Sequence, residues 1–149
     1  MGWRPSLLSA SRRQLRARYE AGFPVAAEDL AGWRYRGISL GLPAFVEGIT
    51  WKTFCKAFVL DGEAVRGWNL RLHQDGLDAP IRPLQRRGAT WSFGHFGVRP
   101  PVASDPPWTR RGLVLDYGLG RNPAWDPMAA LRDPIVALDE GSTDRLLGW

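Results

Sequence analysis

The sequence predicts an all-β protein: an antiparallel up-and-down barrel of about seven or eight strands with an N-terminal helix. Short apolar or alternating segments recur along the chain, and turn residues rather than helices separate them. Tryptophans 33, 51, 68, 91, 108 and 125 follow one another at intervals of 17 to 23 residues. The residues around them do not repeat, so this spacing indicates strand plus turn rather than an internal repeat.

The length of 149 residues is enough for one domain with a substantial core. We expect residues 1–29 to be a helical lead-in and residues 30–149 to be the barrel domain, the two forming one folding unit.

The helix is predicted over residues 6–20. Leu8, Leu15 and Tyr19 lie near one face at spacings of seven and four residues, and Ser6 is placed to cap the first turn. We expect these three side chains to pack against the end or the outer wall of the barrel, with the arginines between them in solvent.

The clearest strand covers residues 49–60, and residues 63–73 return beside it after the turn dipeptide Asp61-Gly62. Further strands are predicted over 30–42, 89–98, 112–117 and 135–139, with the start of a last one at 145–149. Loops are predicted over 99–109 and over 118–134, the second with one helical turn at 128–131.

The strand over 49–60 has one face with small side chains. Lys52 and Lys56 mark the even positions as the outer face, so Thr53, Cys55 and Ala57 are predicted to point inward. Side chains of that size would leave room in the centre of the barrel.

The charge of the chain is concentrated at its N-terminus. The formal net charge is +5, and residues 1–18 carry five arginines and no acidic residue. The remaining 131 residues hold fifteen basic and fifteen acidic side chains, so the folded body is formally neutral. Nucleic acid is therefore not an expected partner of the body, because a nucleic-acid-binding domain usually carries a basic face of its own.

Cys55 is the single cysteine, which excludes an intrachain disulfide and favours a reducing, cytoplasmic location. No apolar run approaches the roughly 20 residues needed to span a bilayer, and no secretory signal is recognisable. No pattern typical of a metal or cofactor site is present, so we expect neither a metal nor a cofactor.

The opening of the first strand, Gly32-Trp33 with Gly37 four residues later, resembles the lipocalin and calycin group, whose first strand carries a G-x-W signature. It is most similar to small bacterial lipocalin-like barrels with a G-x-W-x-G opening, although here Gly32 directly precedes Trp33. The resemblance implies a calycin-like barrel in which Trp33 packs at the closed end beneath an arginine from the last strands. Arg132 and Arg145 are the two candidates.

Aromatic inward faces beside small residues are typical of a small-ligand cavity and equally typical of a packed β core. If a cavity is present, the residues expected to contact its ligand are Trp33, Tyr35, Trp51, Cys55, Phe93, His95, Asp116 and Tyr117.

His95 and Asp116 are the two residues in this set with acid–base chemistry. Asp116 lies in a buried-looking strand, where it is either an acid in a pocket or the structural partner of an arginine, with Arg132 nearby in sequence. His95 has no second ligand at metal-binding spacing and is either half-buried among aromatics or functional.

The leading hypothesis is non-enzymatic binding of a small hydrophobic or amphipathic ligand in the barrel interior. One alternative is a barrel enzyme with isomerase- or hydrolase-like acid–base chemistry at Asp116 and His95. Another is single-stranded nucleic-acid binding through the basic N-terminus.

Overall fold

Seven antiparallel strands form one curled sheet in the computed structural model, which describes residues 3–40 and 52–149. The strands are β1 (Arg34–Ile38), β2 (Thr53–Asp61), β3 (Ala64–Arg71), β6 (Ser92–Arg99), β7 (Leu113–Asp116), β8 (Arg132–Asp139) and β9 (Ser142–Gly148). Their order across the sheet is β1-β2-β3-β6-β7-β8-β9, and every neighbouring pair is antiparallel. A separate small hairpin, β4 (Gln85–Arg86) with β5 (Ala89–Thr90), lies between β3 and β6 in the chain. The predicted antiparallel all-β class is confirmed.

The hairpin predicted around Asp61-Gly62 is confirmed. Asp61 pairs with Ala64, so only Gly62 and Glu63 connect β2 to β3. Gly62 has a φ of +66°, in the left-handed region that such a tight turn requires and that glycine adopts at little cost.

The end of the chain contains more strand than the pattern predicted. β8 begins at Arg132, inside the predicted loop, and Pro134 pairs with Val114 of β7. Pro134 has no N–H to donate, but its carbonyl accepts from the backbone of Trp149. β9 is a complete strand of seven residues from Ser142 to Gly148, not only the start of one.

The sheet curls so far that its two edges approach each other. β1 and β9 both line one cleft, and the Tyr35 side chain lies beside Thr143 of β9. Within residues 3–40 and 52–149, no backbone pairing joins β1 to β9. The described sheet is therefore an open half-barrel with a seam between these edge strands.

The helix predicted over residues 6–20 is two helices, α1 (Trp3–Leu8) and α2 (Arg12–Glu20). Ser11 starts α2: its hydroxyl accepts from Gln14 N at 3.3 Å, and Gln14 Oε1 accepts from Ser11 N at 2.8 Å. This reciprocal cap satisfies donors that a helix start leaves without partners, so the local sequence favours a new helix at Ser11 over one continuous helix.

α2 packs on the side of β8 and β9. Tyr19 is fully buried and forms a cluster with Val136 and Leu147, and the Arg16 guanidinium stacks 3.9 Å from the centre of the Trp108 ring. Leu15 is buried as expected, and Leu8, at 37% exposure, is not. Leu8 lies on α1, whereas Leu15 and Tyr19 lie on α2, so the three side chains do not share one helix face as predicted.

The chain between α2 and β1 covers one end of the curled sheet. Phe23 forms a bridge with Ala137 of β8, and Gly32 N donates to Phe58 O of β2 at 2.9 Å. Between these two points, Val25 and Leu30 are buried in the main core cluster. This crossing closes the concave side at that end.

The faces of β2 are the reverse of those predicted. The even positions Phe54, Lys56 and Phe58 line the concave side of the sheet. The odd positions are buried on the opposite face, where Cys55 packs with Leu70. The prediction rested on lysine preferring solvent, and Lys56 instead has buried partners that are distant in sequence.

Three predictions fall wholly or partly outside the described residues. Trp51 and the start of the predicted strand at 49–51 lie there, and so do the last two residues of the predicted strand over 30–42.

Replacing Tyr19 by phenylalanine tests the packing of α2. The side chain is fully buried, burial raises its pKa to about 12, and its hydroxyl has no hydrogen-bond partner among the described residues. Removing a buried hydroxyl without a partner is expected to stabilise the fold by about 1 kcal/mol, a rise of a few degrees in Tm. Thermal unfolding measures this. Tyr117→Phe is the matched control and should lower Tm, because the buried Tyr117 hydroxyl accepts from Lys56 and donates to Asp133. A clear loss of stability in Tyr19→Phe would show that the hydroxyl has a partner.

Candidate functional site

A cleft of about 890 Å³ opens on the concave side of the sheet along the seam between β1 and β9. Strands β1, β2, β8 and β9 build it together with α1 and α2. Its apolar lining includes Leu15, Phe54, Phe58, Leu115, Ile135 and Leu146. Phe58, Leu115 and Ile135 also belong to the main core cluster, so the cleft reaches into the interior of the fold.

Lys56 brings a charged group into this apolar wall. It lies near the middle of β2, and its side chain is 18% exposed. Its Nζ donates to the Tyr117 hydroxyl at 2.7 Å and to Asn69 Oδ1 at 3.0 Å, and Asp133 Oδ2 is 3.6 Å away. Buried charges persist in proteins only with such partners, because the charge has lost its hydration.

The groups that bind Lys56 form further hydrogen bonds of their own. The Tyr117 hydroxyl donates to Asp133 Oδ2 at 3.0 Å, and Asn69 Nδ2 donates to the carbonyl of Gly94 at 3.0 Å. We call Lys56, Asn69, Tyr117 and Asp133 the Lys56 network. It joins residues of β2, β3 and β8 and the turn after β7, which lie far apart in sequence and meet only because the sheet is curled.

Aromatic rings surround the ammonium group. Lys56 Nζ lies 5.3 Å from the ring centre of Phe54, 5.1 Å from that of Phe96 and 5.4 Å from that of Tyr117. Such faces attract a cation, but they replace water poorly. Burial therefore lowers the pKa of Lys56 below its ordinary value, and Asp133 opposes part of this shift. Burial, reinforced by the charge of Asp133, raises the pKa of Tyr117 far above its ordinary value.

A bulge in β6 positions Asn69. The pairing between β3 and β6 shifts between Gly67 and Asn69, and Gly94 has a φ of +51°. A Cβ on Gly94 would lie 2.5 Å from Met128 Cε and 2.8 Å from Asn69 Nδ2. The positive φ favours glycine here, and any larger residue would also displace the side chains of Met128 and Asn69.

Asn122 holds the bulge from the other side. Its Oδ1 accepts from His95 N at 2.8 Å, and its Nδ2 donates to the carbonyls of His95 and Tyr117 at 2.7 and 2.8 Å. One side-chain amide thus ties the bulge of β6 to the turn that carries Tyr117.

The structure brings two of the predicted ligand-binding residues to this site. Tyr35 lines the cleft and packs edge-to-face on Phe58 with ring centres 5.6 Å apart. Tyr117 holds Lys56 through its hydroxyl.

Other predicted ligand-binding residues lie elsewhere. Trp33 is 60% exposed and precedes β1, so the prediction that it packs in the interior is wrong. Cys55 is fully buried on the opposite face of β2, and burial raises the pKa of its thiol. Phe93 is half-buried and does not line the cleft, and Trp51 lies outside the described residues.

Asp116 has a structural environment. It accepts from Arg99 Nε at 2.7 Å, from Gly118 N at 2.9 Å and from Arg132 Nε at 2.9 Å. It does not line the cleft. Arg99 also makes a two-point ion pair with Asp105, which holds the proline-rich loop against the sheet. Of the two interpretations of Asp116, the geometry favours the arginine partner.

His95 lies beside the Trp68 ring, with ring centres 6.2 Å apart, and does not line the cleft. Burial lowers its pKa, and the nearby positive charges of Arg66 and Arg121 lower it further. The imidazole is therefore neutral at pH 7, and the structure does not bring it together with Asp116 in the cleft.

Lys56, Asn69 and Asp133 were not predicted as site residues from the sequence. One feature of the sequence could have indicated Lys56. It is one of only two lysines in a chain with 18 arginines, and Phe54 and Phe58 flank it on the same face of the strand. Its partners lie 13, 61 and 77 positions further along the chain, so no local pattern could have indicated them.

In residues 3–40 and 52–149, no group of three or more His, Cys, Asp or Glu side chains is placed to hold a metal ion. Over the same residues, no helix is both long and apolar enough to cross a membrane. No protein-family model, curated protein or solved structure matches the chain.

The depressed pKa of Lys56 predicts a pH dependence of stability. At pH values between the lowered pKa of Lys56 in the folded protein and the unfolded value of about 10.4, the unfolded chain binds more protons than the folded protein. The contribution of Lys56 to the free energy of unfolding therefore increases with pH in this range. We expect the Tm difference between the parent and Lys56→Met to grow in favour of the parent from pH 7 to pH 10.

Lys56→Arg is the control for this experiment, because arginine keeps its charge over that range and should lack the same rise. If Tm changes with pH in the same way in the parent and in both variants, Lys56 is not a buried group with a lowered pKa.

Proposed function

We propose that the protein binds a small apolar or amphipathic molecule in the cleft of the curled sheet. The observation that carries this proposal is a cleft of about 890 Å³ with a largely apolar wall and the Lys56 network at its inner surface. Ligand pockets of proteins commonly measure about 300–1,000 Å³ and combine apolar walls with a few fixed polar groups.

The charged lining fits an amphipathic ligand as well as an apolar one. Arg12, Asp144 and Arg145 line the same cleft as the apolar side chains. A molecule with an apolar body and one polar end can therefore bury the body against Phe58 and Ile135 while its polar end meets a charged residue.

The proposal includes a barrel of the lipocalin-like kind. Tyr35 of β1 lies beside Thr143 of β9 across the seam, and the segment before β1 covers one end of the concave side. In this arrangement β1 and β9 form the two sides of the ligand entrance, and binding draws them together.

An acid–base enzyme on the same sheet is the second candidate, and the Lys56 network is the observation that favours it. Lys56, Tyr117 and Asp133 form a hydrogen-bonded set of titratable groups at the cleft, which is the usual environment of a catalytic amine or acid. Such chemistry would use this network rather than Asp116 and His95.

Filling the cleft tests the binding proposal. Leu146 of β9 lines the cleft and packs against the main core, so Leu146→Trp should occupy the space of a ligand. We expect the parent to bind the neutral dye Nile red saturably, with a blue-shifted emission, and Leu146→Trp to bind it at least about tenfold more weakly, or ~1.4 kcal/mol.

Leu60→Trp is the matched control, because Leu60 is 59% exposed and does not line the cleft. It should bind the dye as the parent does. Far-UV circular dichroism and Tm establish that each variant is folded. The binding proposal is abandoned if the folded parent shows no saturable dye binding, or if both tryptophan variants bind equally.

A further inference from the structure

The charge around Lys56 restricts what its end of the cleft can bind. Asp133 lies 3.6 Å from Lys56 Nζ and also accepts from Tyr117, so the lysine already has a carboxylate partner. A second anion at this end would meet the charge of Asp133 in a poorly hydrated place. A neutral polar group fits here better than an acid.

Lys56 Nζ has three polar partners: Asn69 Oδ1 and the Tyr117 hydroxyl within 3.0 Å, and Asp133 Oδ2 at 3.6 Å. Once one proton has passed to Asp133, the amine keeps two N–H groups for the two nearer acceptors. The nitrogen lone pair is then available on a side chain that lines the cleft. An unprotonated amine in an apolar pocket is a nucleophile toward carbonyl carbon.

We propose that Lys56 forms a reversible imine with an aldehyde- or ketone-bearing ligand bound in the cleft. The inference rests on the proposed function, since it names the chemical class of the same ligand. Asp133 and Tyr117 serve the reaction as the proton acceptor and the hydrogen-bonded link between the acid and the amine.

Imine formation on Lys56 needs no co-reactant. The Lys56 ammonium first gives a proton to Asp133, either directly or through the Tyr117 hydroxyl, which lies 2.7 Å from one group and 3.0 Å from the other. The amine attacks the carbonyl carbon, a C–N bond forms, and the π pair moves to oxygen. A proton shift from nitrogen to oxygen gives the carbinolamine.

Loss of water completes the imine. Asp133 returns its proton to the carbinolamine hydroxyl, the C–O bond breaks, and water leaves. The product is a protonated imine on Lys56 with the Asp133 carboxylate as its counter-ion. The net reaction converts the ammonium and the carbonyl compound into the iminium and water, so the charge of the pair is unchanged.

Reductive trapping with octanal tests the inference. The folded protein is incubated at pH 7 with octanal and sodium cyanoborohydride, which fixes an imine as an octyl amine, and mass spectrometry after proteolysis locates the label. Lys52 and Lys56 are the two lysines of the chain, so Lys52 is an internal reference. We expect early labelling of Lys56 to exceed that of Lys52 at least about tenfold.

Two variants of the Lys56 network and one surface control separate the proposed roles from simple exposure. Asp133→Asn should reduce the labelling of Lys56 relative to Lys52, because an amide can neither return a proton to the carbinolamine hydroxyl nor act as the counter-ion of the protonated imine. Asp61→Asn is the matched control, since Asp61 pairs with Arg66 on the surface, and it should label as the parent does. Tyr117→Phe should also slow the labelling of Lys56.

Nile red binding, measured on the same samples, distinguishes the two ways of failing. If the parent binds the dye but Lys56 labels no faster than Lys52, the imine inference is overturned while the binding proposal stands. If the parent neither binds the dye nor labels at Lys56, both are overturned. Labelling of Lys56 that Asp133→Asn leaves unchanged overturns the role given to Asp133.

Discussion

The hydrogen bond from Lys56 to the Tyr117 hydroxyl is the contact on which the interior of the sheet depends. β2 and β7 are separated in the sheet by β3 and β6, which is about 14 Å along a flat sheet. The two side-chain atoms nevertheless meet at 2.7 Å. This contact requires the concave curl, and the same curl creates the cleft between β1 and β9.

The rest of the Lys56 network follows from the need to satisfy this buried amine. Asn69 accepts from Lys56 through its Oδ1, and the carbonyl of Gly94 at the bulge accepts from its Nδ2. Asn122 then fixes the bulge. Buried polar groups become costly when one partner is missing, so these contacts favour one register of β3 against β6 over others. The site and the strand register are thus parts of one arrangement.

The predictable parts of the structure are those that neighbouring residues determine. The β2–β3 hairpin follows from Asp61-Gly62 between two strand segments, and the antiparallel class follows from repeated short strands without helices between them. Which face of β2 points into the sheet was not predictable in this way. Lys56 points inward because it binds the Tyr117 hydroxyl, and the residue pattern of a single strand contains no information about a hydroxyl 61 residues away. The prediction that Trp33 is interior failed for a related reason: aromatic residues near a strand can be either buried or exposed.

Proton NMR of the two lysine side chains tests the inward position of Lys56 most directly, because the chain contains only Lys52 and Lys56. Rings centred 5.1 to 5.4 Å from Lys56 Nζ should shift its methylene protons upfield and give cross-peaks to the rings of Phe96 and Tyr117. Lys56→Met identifies the signals. With Lys56 inside the sheet, we expect one shifted lysine spin system with these aromatic cross-peaks, and its loss in Lys56→Met. Two lysines with unshifted methylene protons and no aromatic cross-peaks would contradict it.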